Sequence, residues 1–148
     1  MADRNLMTLA VDCGGLSLKA SVLDRAGTLH AQPISIPTPY PLSPKRLIEA
    51  FDELAQALPA FDRMTVGMPG MIRHGVVVHT PHYINTKGPL TRIDPQLLTL
   101  WRGFDMQSAI AAHFSIPALV MNDAEVHAAG LISGSGLEVV MTLGTGLG

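Results

Sequence analysis

The sequence has one cysteine, Cys13, among 148 residues. No internal disulfide can form, which predicts a reducing, cytoplasmic setting. Charge is also scarce: Asp, Glu, Lys and Arg make up 15% of the chain, and the formal net charge is −2. There is no basic stripe for nucleic acid and no block of one sign that would read as a tail. The longest apolar runs fall far short of the roughly 20 residues that cross a bilayer, so no membrane span is expected. The opening residues, Met1-Ala2-Asp3-Arg4-Asn5, lack the basic-then-apolar plan of a signal peptide. Metal ligands are thin. His79 and His82 lie three apart without a cysteine or acidic neighbour and read as a surface pair rather than a zinc site. No internal repeat or low-complexity tract breaks the chain.

What is present is 47% apolar side chains, enough for one domain with a real core. Residues 6–11 form an apolar run that ends at Asp12. Cys13-Gly14-Gly15 then turns into the alternation Leu16, Leu18, Ala20, Val22. That pattern predicts a β-hairpin, and a third strand over 29–36 would complete a meander. Five prolines between 33 and 44 forbid helix and stiffen the connection. Ser43-Pro44 opens a helix whose apolar face is Leu47, Ile48, Phe51, Leu54, Ala55 and Leu58, with Pro59 as its stop. A short strand over 64–66 runs into Gly67-Met68-Pro69-Gly70. A small hairpin turns at Arg73-His74-Gly75, with 76–78 as one arm.

Residues 80–102 hold three prolines and a short helical pattern at 95–100. They read as a surface excursion, of the kind that forms a lid. An amphipathic helix over 104–114 follows, then a strand over 118–121, a helix over 126–132 and a last strand over 137–143. The order predicts an α/β fold: a mixed sheet, begun by an antiparallel meander, with flanking helices. The meander argues against a Rossmann sheet.

Chemistry concentrates where strands end. Asn122-Asp123-Ala124-Glu125 follows a strand and opens a helix, which places a carboxylate at the open edge of a sheet, where α/β proteins bind ligands. Asn122 with Glu125 also matches a capping box, which alone accounts for both polar residues. Asp123 still projects from the first turn. At Asp12-Cys13-Gly14-Gly15, paired glycines let backbone amides approach a phosphate, and Asp12 could hold Mg²⁺ through water. A plain glycine turn with a solvated aspartate fits the same four residues. Gly144-Thr145-Gly146 follows the last strand in the same manner, but no helix follows it, so a dinucleotide-binding fingerprint does not fit.

Four segments together carry a resemblance: Leu9 through Gly15, Val66-Gly67-Met68-Pro69-Gly70, Val120 through Glu125, and Thr142-Leu143-Gly144-Thr145-Gly146. In order and spacing they resemble the N-terminal half of the ROK-family sugar kinases, closest to glucokinases and polyphosphate glucokinases. Leu100-Trp101-Arg102-Gly103-Phe104-Asp105 is similar to a segment of some of those. The resemblance implies an actin-like, ribonuclease-H-like lobe and phosphoryl transfer from ATP or polyphosphate to a hexose 6-hydroxyl. It implies Asp123 as general base and Asn122, Pro69 and Gly70 beside the sugar. Asp12, Gly14, Gly15, Gly144, Thr145 and Gly146 would hold the phosphoryl donor, with Mg²⁺ at Asp12. Leu16 stands where the family usually has Thr or Ser, which removes a hydroxyl from the phosphate loop.

The resemblance covers only the family's N-terminal half, so residues 1–148 are expected to be one lobe without the C-terminal lobe. Two readings follow. In one, the chain is the catalytic lobe of a sugar kinase. In the other, it is a non-catalytic half-kinase module that binds sugar or oligomerises. The helix over 126–132 and the strand over 137–143 are the expected apolar surface for a homo-oligomer or a second lobe.

Overall fold

The computed structural model describes residues 6–143. Strands β1 (Thr8–Cys13), β2 (Ser17–Leu23) and β3 (Ile34–Pro37) form the expected meander, each antiparallel to the next. The third strand is shorter than its sequence pattern. Leu29 makes only an isolated bridge to Leu23, and regular pairing begins after Pro33, which has no N–H to donate. Helix α1 (Pro44–Gln56) starts as expected, the Ser43 hydroxyl accepting from the Arg46 amide at 3.2 Å. Then come β4 (Arg63–Met68), the hairpin of β5 (Met71–Arg73) and β6 (Val76–His79), and helix α2 (Pro95–Trp101). Strand β7 (Phe104–Asp105), α3 (Met106–Phe114), β8 (Ala118–Asn122) and α4 (Asp123–Leu131) complete the described order.

The main sheet runs β3-β2-β1-β4-β8, with β1, β4 and β8 parallel. Parallel neighbours need crossover connections, which α1 and α3 provide. One sheet face is buried through Leu9, Val11, Leu18, Val22, Met64, Val66 and Val120. Phe51 and Leu54 of α1 and Met106 and Ile110 of α3 belong to the same core. The Asp52 carboxylate meets His113 Nε2 at 2.9 Å and ties α1 to α3. The other sheet face is thinly covered. Helix α4 crosses it at Gly67 with no buried residue of its own, and Leu119 beside it is 48% exposed.

Three expectations are corrected. Residues 80–102 are a surface excursion only in part: 90–93 are exposed, but Tyr83, Ile84, Leu97 and Trp101 are core residues. Trp101 Nε1 donates to the Leu42 carbonyl at 2.8 Å, and its ring lies 5.5 Å from that of Tyr83. Buried aromatic area holds this segment down, against a second sheet, β5-β6-β7. Next, the helix expected over 104–114 begins at Met106, since Phe104 and Asp105 pair with β6 and the Asp105 carboxylate caps α3. Finally, 137–142 form no strand, and Leu143 has a single bridge rather than a ladder. Leu137, Val139, Met141 and Leu143 are exposed, and their alternation finds no ladder among the described residues. Among the described residues, no helix is long and apolar enough to cross a membrane.

Candidate active site

Strands β1, β4 and β8 run parallel and end side by side, so the residues after each strand share one edge of the sheet. Asp12 on β1 is in register with Gly67 on β4, and Gly67 with Met121 on β8. With one strand between them, the β1 and β8 ends lie roughly 10 Å apart. There they border an open cleft of about 1140 Å³, lined by Asp12, Gly14, Gly15, Pro69, Gly70, Asn122 and Asp123 among others. Every predicted site residue that the structure describes is therefore in one place. Gly144, Thr145 and Gly146 lie outside the described residues, although Thr142 and Leu143 before them line the same cleft.

At the β8 end, Asn122 serves the fold in two directions. Its Oδ1 accepts from the Ala124 and Glu125 amides at 2.9 and 3.2 Å, while Nδ2 donates to the Gly70 carbonyl at 2.7 Å. The capping half of the expected box is real. Its return half does not form: among the described residues Glu125 makes no bond to the Asn122 amide, and it lines the cleft instead. One Nδ2 hydrogen is left over for a ligand. Asp123 Oδ1 accepts from the Ala124 amide at 2.9 Å, and Oδ2 has no partner among the described residues.

The β4 end is shaped by Gly70. Its φ is +110°, and a Cβ there would fall 2.2 Å from the His79 carbonyl oxygen. Only glycine permits this turn. At the β1 end, the Gly14 amide donates to Ser17 at 2.9 Å to close the turn. The Gly14 carbonyl accepts from Thr38 Oγ1 at 3.0 Å and the Tyr83 hydroxyl at 3.3 Å, and the Gly15 carbonyl from the Tyr40 hydroxyl at 2.9 Å. A Cβ on Gly15 would meet Pro89 Cγ at 2.7 Å, so the 80–94 segment closes directly on this turn. Burial raises the Tyr83 hydroxyl well above its ordinary value and Tyr40 to about 12, and it pushes the Cys13 thiol up strongly. All three stay protonated at neutral pH.

Asp12 lines the cleft half-buried, and its carboxylate has no ion pair or hydrogen bond among the described residues. No group of three or more His, Cys, Asp or Glu side chains that could hold a metal is found there. The single Asp12 carboxylate would fit Mg²⁺, which keeps several waters and takes one or two carboxylates together with phosphate oxygens. The cleft also holds Arg73, His82, Glu125 and His127, which sequence reasoning missed. Only His127 left a signal: it stands four residues after Asp123, on the same helical face. His79 and His82 are not a matched surface pair, since His82 is half-buried in this cleft and His79 is exposed.

Residues 8–148 match the sequence pattern of the ROK family. The chain belongs to the ROK family. It is 30% identical to the polyphosphate glucokinase of Mycobacterium leprae strain TN, covering 93% of this chain and 41% of that protein. The inorganic polyphosphate/ATP-glucomannokinase of Arthrobacter sp. strain KM superposes with a TM-score of 0.71 at 29% identity, over 97% of this chain and 57% of its own. A ROK family glucokinase from Streptomyces griseus, solved with glucose and AMPPNP, gives 0.71 at 24% identity. There 96% of this chain matches 43% of the other, a likeness of fold. This ROK chain thus spans about two-fifths of its curated relative, and it has the actin-like fold of the ROK sugar kinases.

Proposed function

We propose that this cleft is one wall of a sugar kinase active site, which transfers a phosphoryl group from ATP or polyphosphate to a hexose 6-hydroxyl. The second wall would come from a further lobe, as the greater length of the relatives suggests. One observation carries the reading: Asp12, the Gly14–Gly15 turn and the Asn122-Asp123 pair face a single cleft from adjacent strand ends. Phosphoryl transfer needs positioning and charge neutralisation more than covalent help, and these are the parts it needs.

In this reading Asp123 Oδ2 accepts the proton of the attacking hydroxyl. The hydroxyl oxygen bonds to the terminal phosphorus as the bridging oxygen of the donor departs. The remaining Asn122 hydrogen and the Gly70 turn orient the sugar. Gly14 and Gly15 approach the donor phosphates closely, since no Cβ intervenes. Asp12 would hold Mg²⁺, which when bound neutralises phosphate charge. The names of the relatives favour glucose as acceptor and leave both donors open. The test is hexose phosphorylation by the native gene product with Mg²⁺ and each donor in turn. Product with at least one donor supports the reading; none with either overturns it.

The exposed apolar residues of α4 and 137–143 favour a second reading, a half-kinase module that oligomerises. Sedimentation of the purified chain separates the two, because a module forms a stable oligomer without catalysis.

A further inference from the structure

Three successive carbonyl oxygens in the β1–β2 turn are held from behind. Gly14 O accepts from Thr38 Oγ1 and Tyr83 OH, Gly15 O from Tyr40 OH, and Leu16 O from the Thr38 amide at 3.0 Å. In a trans peptide the C=O and the following N–H point in opposite directions. Fixing the Gly14 carbonyl therefore aims the Gly15 N–H the other way, and fixing the Gly15 carbonyl does the same for the Leu16 N–H. Gly14, Gly15, Leu16 and Ser17 all line the cleft. A glycine pair has little steric resistance to a peptide flip. Flipped, each peptide would present a partly negative oxygen to an anion in place of a donor.

We propose that Tyr40 and Tyr83 are positioning residues that hold the Gly15 and Leu16 amides toward the phosphoryl donor. The inference rests on the sugar kinase reading of the cleft. The two hydroxyls come from different places, Tyr40 from the proline-rich connection before α1 and Tyr83 from the 80–94 segment. That segment is then a fixed wall of the phosphate turn, with Pro89 set against Gly15. Gly88 packs on the Tyr40 ring, where a Cβ would come within 3.2 Å of Cε2. Neither hydroxyl ionises at neutral pH, so both remain donors.

The experiment compares the native gene product with its Tyr40→Phe, Tyr83→Phe and double variants. Calorimetric titrations with Mg²⁺-tripolyphosphate, Mg²⁺-AMPPNP and glucose are paired with amide NMR of Gly15 and Leu16. Phe keeps the ring, so the fold is retained, and Tyr40, half-buried, gives a second and milder variant. Each single change should weaken donor binding about 3- to 10-fold, the worth of one hydrogen bond. The double variant should lose more, and glucose affinity should stay within about twofold, since no sugar contact is touched. Gly15 and Leu16 resonances should move with tripolyphosphate in the unaltered protein and move less in the double variant. Unchanged donor affinity in the variants overturns the inference alone, as does an equal loss of donor and glucose affinity. If the unaltered protein binds neither donor, the kinase reading fails and this inference falls with it.

Discussion

Asn122 reaches 52 residues back along the chain, its Nδ2 donating to the Gly70 carbonyl at 2.7 Å while its Oδ1 caps α4. One side chain thereby locks the β8–α4 junction, which carries Asp123, to the turn after β4. Asn122→Ala removes the cap and leaves a carbonyl unpaired, and should lower stability by about 2–3 kcal/mol in urea denaturation. Asn122→Asp keeps the cap and loses the donor, so it should cost about 1–2 kcal/mol. An Asn that only touched sugar would leave both curves unmoved.

Gly67 and Gly70 make opposite predictions. A Cβ on Gly70 would strike backbone at 2.2 Å with φ at +110°, and Gly70→Ala should cost more than about 3 kcal/mol. A Cβ on Gly67 would sit 3.4 Å from Asp123 Cα and 3.5 Å from Val126 Cγ2, ordinary contact distances. Gly67→Ala should therefore stay within about 1 kcal/mol of the unaltered protein. Thermal melts of the two variants test the pair.

Asp105 gives the α3 start a pH dependence. The Ser108 amide and hydroxyl hold its carboxyl below the ordinary value of 3.8. Because the folded pKa is depressed, this contribution is complete above the unfolded value. It is lost as pH falls through the lower folded value. Asp105→Asn retains a cap without the titration, so below about pH 4 the variant's stability should fall less steeply than that of the unaltered protein. Denaturation curves between neutral and acid pH measure the difference.

Much of this was legible in the sequence because the signals were local. Ser43-Pro44 fixes a helix start, Gly14-Gly15 a turn, and the pattern before Asn122 a strand end, all within a few residues. What the sequence did not reveal depends on contacts distant along the chain. Tyr83 looks like loop, yet it is buried because Trp101 and the Gly14 carbonyl lie against it. His82 reaches the cleft through a turn whose direction no periodicity encodes. The alternation of 137–143 reads as strand, but alternation supplies no pairing partner.

Trp101 is the sole tryptophan and is 1% exposed. Its emission should be blue-shifted and resist iodide quenching, unchanged by glucose, because its ring is anchored in the core against Tyr83 and the Leu42 carbonyl. Trp101→Ala should cost about 3–5 kcal/mol. Quenching that falls when sugar is added would indicate a closing segment instead.

The most direct test of the cleft's role is the rate of glucose phosphorylation by the native gene product and its Asp123→Asn variant, with Mg²⁺ and ATP or polyphosphate. The predicted result is turnover in the unaltered protein and a loss of at least about 100-fold in the variant, with its melting temperature retained. Equal rates in the two proteins would contradict the assignment of Asp123 as the base.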